Sequence, residues 1–331
     1  MIAHIQSNLD KILTKDVFDS LSIIANSNVH DSHLCNRGRK MKYSPEQILR
    51  IFILKELLHL SMRDIVRTLH SNNSYRELCL VEKDSIPSHT TLSYRNYHSD
   101  YNALIQKTIM LYELETSKIV KITSVDSTMV KPCSEHRAQI QRRNHKYKDK
   151  NASWTMTTKK KWEYGYKAHI SCDSESSMVL KYSFSTAKDH DSTHFKDVLD
   201  SLKSSSYILL DKAYDSDKIY NLILNNTSAI PVIDVNPRKG SSKPSRKDKN
   251  TRWIMKNIRV KYKDLYKKRW EIERINSNLK SPFFFSFEYI YYVPHRHYEK
   301  AVGLKLLVHN LVTLANISNG LSKNRKLVVA L

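Results

Sequence analysis

Residues 264–280, DLYKKRWEIERINSNLK, constrain the chain more than any other stretch, because Tyr266, Arg269, Glu273 and Lys280 follow one another at offsets of three, four and seven residues. At about 100° per residue, a helix gathers those four within an arc of roughly 60°. Leu265, Ile272, Ile275 and Leu279 form a separate apolar stripe suited to a core. The segment is therefore expected to be a helix that buries one face and keeps a polar face for chemistry. A carboxylate there suits a divalent cation, and the cationic side chains suit phosphate oxygens. A solvated charged helix would carry the same mixture of residues, so the stretch needs partners elsewhere in the chain. Glu271 points roughly 160° away from this arc and is expected to be solvent-facing or paired with a neighbour, leaving Glu273 as the carboxylate available to a metal.

The 331 residues suffice for about two domains. With 55 Lys and Arg against 33 Asp and Glu, the formal charge is +22, and the basic residues recur along the whole chain. That balance favours a polyanionic partner. Duplex DNA, with one negative charge per ~1.7 Å of axis, fits better than an anionic membrane, which would want one basic amphipathic segment. A merely soluble basic protein is the alternative. Cys35, Cys79, Cys133 and Cys172 are scattered, against the close pairs of a zinc site or disulfide framework. Five glycines leave no Gly-rich phosphate loop. The first residues read as a short amphipathic helix without the basic region and unbroken apolar run of a secretory signal. Residues 301–317 are the most apolar, yet they carry Lys305, His309 and Asn310, which suits a core helix more than a membrane span. A cytoplasmic, nucleoid-associated protein with no membrane partner is the expectation.

Residues 36–43 form a basic arm that could be a DNA contact or a solvated linker. Ser44, Pro45 and Gln47 then open a helix by an N-cap, a first-turn proline and a capping box. Further helices are expected from Ser61, near Tyr75, and after Pro87 and Ser88. Short helices joined by polar turns are consistent with a helix-turn-helix presenting His89, Thr90, Thr91 and Arg95 to a major groove, or with a helical dimerisation module.

From Ile119 the pattern becomes β-rich. Strands are expected at the segment ending in Asp126, at 163–172 and 178–185 around a turn at 173–177, at 207–210 and at 229–235. Helices are expected from Asp191, as a cap, through Leu202, and over 216–225. Three antiparallel strands followed by alternating helices and strands give an α/β (α+β) chain with an RNase H-like mixed sheet behind an all-helical domain. The expected boundaries are 1–118 for the helical domain, 119–317 for the catalytic domain and 318–331 for a basic tail. Two basic segments, 131–161 with ten Lys or Arg against two acidic residues and 237–252, read as surface loops, either disordered or contacting DNA backbone.

Asp126 in SVDST and Asp211 in LLDKAYDS each close a strand, and with Glu273 they supply three carboxylates in the order strand, strand, helix. Such an oxygen-rich set suits Mg²⁺, and two ions ~3.5 to 4 Å apart support in-line phosphoryl transfer. Lys167 and His169 alternate on a strand beside the site, where they could touch phosphate or form an exposed sheet face. Trp270 could stack on a base or cover the core edge.

The spacing of Tyr266, Arg269, Glu273 and Lys280 is the Y-(2)-R-(3)-E-(6)-K signature, and the chain resembles the DDE transposases of bacterial and archaeal insertion sequences that carry it. Pro87-Ser88-His89-Thr90-Thr91-Leu92, the DKAYD run with Ala213 in place of the usual glycine, and His190-Asp191-Ser192 resemble further runs of that family. The resemblance covers most of residues 42–315. It implies an enzyme that binds element ends, cleaves DNA and transfers the 3′ ends to target DNA, using Mg²⁺ with Mn²⁺ as a substitute. It implies Asp126, Asp211 and Glu273 as catalytic and metal-binding residues and a homodimer in the complex with double-stranded DNA. Arg269 and Lys280 would hold phosphates, and Tyr266 would position the strand. The short separation of Asp211 and Glu273 leaves no room for a large inserted β-domain. A structure-specific RNase H-like nuclease and a non-catalytic regulator derived from a transposase are the alternatives.

Overall fold

The computed structural model describes residues 2–26, 42–147, 149–156, 160–236, 251–280 and 295–324. Most of the expected basic arm at 36–43, nearly all of the basic segment at 237–252, half of the tail at 318–331, and Cys35 lie outside the described residues. The chain divides into two units, residues 1–116 with 300–331, and residues 117–299.

The helical unit begins with α1 (Ile2–Asn26), α2 (Pro45–Leu57), α3 (Met62–Ser71), α4 (Asn73–Leu78), α5 (His89–His98) and α6 (Tyr101–Thr116). The capping box forms as the sequence predicts. Ser44 Oγ accepts from the Gln47 amide at 3.1 Å, and the Ser44 amide donates to Gln47 Oε1 at 2.9 Å. Phe18, Leu21, Ile51, Phe52, Ile65, Leu69 and Leu92 are buried in its interior.

The second unit contains β1 (Ile122–Val130), α7 (Glu135–Arg143), β2 (Ser153–Met156), β3 (Trp162–Asp173), β4 (Val179–Thr186), α8 (Asp191–Val198), β5 (Tyr207–Leu210), α9 (Asp217–Asn226), β6 (Ile230–Ile233), α10 (Thr251–Lys261), α11 (Lys263–Tyr266) and α12 (Trp270–Lys280). The last helix, α13 (His295–Ser318), belongs from Lys300 onward to the helical unit, whereas the sequence boundary assigned it to the catalytic domain. Buried polar contacts fix it there. Lys305 Nζ lies 2.7 Å from Glu56 Oε2, and Asn310 Nδ2 donates to Thr108 Oγ1 at 2.8 Å. Burial alone would push the Glu56 carboxyl up, but Lys305 and Lys55 beside it outweigh that and hold it at about 2. By length and composition residues 297–318 could cross a membrane, but 83% of the most apolar window is buried inside the protein, as in a core helix.

The sheet runs β4-β3-β1-β5-β6, with β2 adding to the start of β3. β1 pairs antiparallel with β3, β3 antiparallel with β4, β1 parallel with β5, and β5 parallel with β6. This antiparallel trio extended by two parallel strands is the RNase H-like arrangement, and each crossover to a parallel strand contains a helix, α8 or α9. The turn between β3 and β4 is held by Asp173, whose carboxylate accepts from the Ser176 amide at 2.8 Å and the Glu175 amide at 3.3 Å.

The segment at 131–161 departs from the surface-loop expectation. It contains α7 and β2 and has its own small core of Cys133, Ala138 and Tyr164, with Tyr147, Ala152 and Trp154 against it. Tyr166 Oη donates to the buried Asp149 carboxylate at 2.5 Å, and Tyr164 Oη donates to the Asp149 carbonyl. Gly165 permits the close approach at its base, since a Cβ there would collide with the Val130 carbonyl oxygen. The alternation of charged and aromatic residues hides this core from a reading based on charge.

Candidate active site

Parallel pairing sets the first two carboxylates side by side. Ser124 of β1 is in register with Leu209 of β5, so two residues further along the strands Asp211 lies beside Asp126. Adjacent strands are ~4.8 Å apart. Asp126 is half-buried as a residue; burial of its carboxyl, together with the Asp211 and Asp191 charges, pushes it up to about 7 against the Ser127 amide and Arg269. Burial also raises the Asp211 carboxyl, helped by Asp191 and opposed by the Ala213 amide, which donates to it at 2.7 Å, and by Arg269.

The segment expected to be one regular helix is α11, a 3₁₀ turn at Lys267–Arg269, and α12. The 3₁₀ turn keeps Tyr266 and Arg269 aligned, because residues three apart eclipse in that geometry. Tyr266 does not lie on an exposed face. It is buried in a cluster with Ile122, Leu209 and Val232, and its hydroxyl donates to the Leu210 carbonyl at 3.1 Å. The guanidinium of Arg259 lies 3.5 Å from its ring centroid, and that of Arg269 lies 5.7 Å away on its own approach. Tyr266, expected as a DNA contact, is thus held by its hydroxyl to the backbone beside Asp211, with Asp234 also bonded to it.

Arg269 is half-buried and ion-paired with the exposed Glu273 one turn on. Three residues further, Asn276 donates from Nδ2 to Asp126 Oδ2 at 3.0 Å, while its buried Oδ1 has no partner. Lys280 is half-buried at the end of α12. Glu271 is buried, not solvent-facing. It accepts from Ser177 Oγ in the β3–β4 turn and from Arg274 Nη1 at 3.0 Å.

Asp191 is not the cap of α8. His190 occupies the N-cap position without a side-chain cap bond, and Asp191, the first helical residue, has its Oδ1 3.0 Å from Lys167 Nζ. Its charge acts on both Asp126 and Asp211. His169 is buried rather than on an exposed sheet face; its Nε2 shares a 2.8 Å hydrogen bond with Ser185 Oγ and its ring stacks on His194. Sequence reasoning missed Asn276, whose position one turn beyond Glu273 on the same polar face was the available signal. It also missed Tyr214, whose buried hydroxyl has no partner and whose ionisation is opposed by burial and by Asp126, Asp191 and Asp211.

The all-oxygen donor set at Asp126 and Asp211, both carrying raised carboxyls, fits a hard divalent cation. Glu273, held by Arg269, does not join them. Among the described residues, no three His, Cys, Asp or Glu side chains are grouped to hold a metal ion. In the helical unit, Ser88 caps α5 by accepting from the Thr91 amide at 3.2 Å and sharing its hydroxyl with Thr90. Thr90 is exposed, and His89, Thr91 and Arg95 are half-buried.

The mixed sheet is RNase H-like; β1 does not stop at Asp126 as expected but runs on to Val130, because its ladder with β3 continues past the aspartate, so Asp126 lies mid-strand beside Asp211, which follows the end of β5. The chain belongs to the DDE transposase family, described as "Transposase DDE domain", which matches residues 121–311, more than half its length. A second family, "Transposase domain (DUF772)", matches residues 7–96. Among solved structures the chain is similar to the piggyBac transposase synaptic complex with hairpin DNA, at 11% identity and a TM-score of 0.44, covering 96% of this chain and 77% of that one. No curated protein matches the sequence.

Proposed function

We propose that this transposase binds the ends of an insertion element, cuts the DNA there and joins the freed 3′ ends to target DNA, as a homodimer on double-stranded DNA. The observation that carries this reading is the register that sets Asp211 beside Asp126, with Asn276 on Asp126 and the Arg269–Glu273 pair on the same segment. In this reading Asp126 and Asp211 hold a divalent cation, Mg²⁺ or Mn²⁺, and Glu273 completes the set. When bound, two such ions supply activation of the attacking hydroxyl and stabilisation of the leaving oxygen.

The residues themselves do the rest. Asn276 fixes one oxygen of Asp126 and leaves the other for a ligand. Arg269 neutralises Glu273 until a DNA phosphate competes for the guanidinium, which frees the carboxylate where it is needed. Lys280 adds a second phosphate contact. Tyr266 holds the Asp211 strand end in place from beneath. The α5 helix, through His89, Thr90, Thr91 and Arg95, reads the element end in a major groove.

The test is cleavage of end-containing DNA by Asp126→Asn, Asp211→Asn and Glu273→Gln. Each should lose nearly all Mg²⁺-dependent cutting while keeping DNA affinity. Wild-type rates from any two of them would sink the assignment.

A further inference from the structure

The folded segment between β1 and β3 has a surface that the reaction above does not use. Trp154 pairs with Tyr164 and Met156 with Trp162 across the β2–β3 ladder, so all four side chains share one face. That face runs from the buried Tyr164 outward to Met156 and Trp162, which are 57% and 48% exposed. Arg142 of α7 lies over both tryptophans, its guanidinium 5.2 Å from the Trp154 ring centroid and 5.9 Å from that of Trp162. Three polar contacts hold the platform to its surroundings. Lys131 pairs with Glu163 at 3.3 Å, Lys161 with Glu135 at 2.7 Å, and Trp154 Nε1 donates to Tyr147 Oη at 3.3 Å.

Two large apolar side chains exposed side by side, Met156 and Trp162, the second under an arginine, are poorly placed for water and well placed for a flat, anionic partner. The surrounding segment carries ten Lys or Arg against two acidic residues, and Arg137, Arg143 and Lys146 on and after α7 are exposed. Both acidic residues are occupied, Glu135 by Lys161 and Asp149 by Tyr166. The surface is therefore positive in net effect and offers aromatic faces. An intact duplex presents phosphates but keeps its base faces stacked, whereas unpaired nucleotides offer both.

We propose that the surface formed by Arg142, Trp154 and Trp162 binds unpaired nucleotides of the DNA, stacking a base on Trp162 while the neighbouring basic side chains hold its backbone. This rests on the DNA-processing function proposed above and adds a site separate from the carboxylates and from α5.

The experiment measures binding of the full-length chain, without divalent cation so that no DNA is cut, to fluorescein-labelled duplexes of one sequence with a blunt end or a single-stranded 3′ overhang. Trp162→Ala should lower affinity for the overhang duplex by about tenfold and leave the blunt duplex within about twofold, and Trp162→Tyr should recover most of the loss. Arg142→Gln should weaken overhang binding and reduce its salt dependence by about one charge. Unchanged overhang binding by Trp162→Ala, or an equal loss on both DNAs, would overturn the stacking site while leaving the transposase reading intact. A wild-type chain that binds neither DNA would overturn that reading and this site together.

Discussion

Asn276 on α12 donates a 3.0 Å hydrogen bond to Asp126 on β1, joining the two segments that carry the outer members of the carboxylate set. The bond favours the charged form of a carboxyl that its surroundings push towards protonation. Asn276→Ala should therefore move the acidic limb of the pH–rate profile for single-turnover cleavage to higher pH and slow the reaction about tenfold at neutral pH. An unmoved limb would mean that Asn276 only packs the helix.

The raised Asp126 carboxyl also has a consequence for stability. Its ordinary value is 3.8 and its value in the fold is about 7, so between those pH values the folded chain binds more protons than the unfolded chain. Stability therefore falls as pH rises through that window. Asp126→Asn can still accept from Asn276, and in the absence of divalent cation it should be more stable than wild type by about 2 kcal/mol at pH 8, a figure reduced for partial exposure. The difference should vanish below about pH 4. Urea unfolding at the two pH values checks this.

Glu271 and Glu273 should separate stability from chemistry. Glu271→Gln disturbs a buried carboxylate shared by Ser177 and Arg274 and should cost about 1–3 kcal/mol, with cleavage largely retained below the melting temperature. Glu273→Gln should leave the thermal midpoint nearly unchanged and abolish cleavage. Paired melting curves and single-turnover rates decide it, and loss of cleavage in both variants would point to a shared structural fault.

Tyr266→Phe tests the anchor. Removing the hydroxyl leaves the Leu210 carbonyl without its 3.1 Å partner, at a cost of about 1 kcal/mol. The rate should fall, because Asp211 is the next residue, while affinity for DNA stays within about twofold. A large loss of affinity with unchanged stability would point to Tyr266 as a DNA contact.

The sheet was legible because its strands alternate or run apolar between turn residues, and because Asp211 falls just where an apolar strand stops, whereas β1 carries on past Asp126 on the strength of its pairing with β3. The Ser44 capping box was legible for a local reason, since its partners are three residues apart. The place of Tyr266 was not, because an angular plot assigns it to the polar arc, and only the approach of β5 supplies the carbonyl that takes its hydroxyl. Asp191 reads as a cap in sequence, and only the fold brings Lys167 to it and sets it among the other carboxylates. The core of the 131–161 segment escaped because its apolar residues are spaced irregularly among ten basic ones.

The helical unit is assembled from segments on both sides of the sheet, residues 1–116 and residues from Lys300 onward, with the whole sheet encoded between them. Synthesis therefore delivers the sheet-bearing unit, which ends at Glu299 in the first turns of α13, before the rest of α13 exists to close the helical core. A chain stopped anywhere before Lys300 leaves Glu56 with Lys55 alone and the faces that Lys305 and Asn310 should cover open to water. Shortened products should then be cleared as misfolded polypeptide instead of lingering at DNA ends as competitors of the full-length protein.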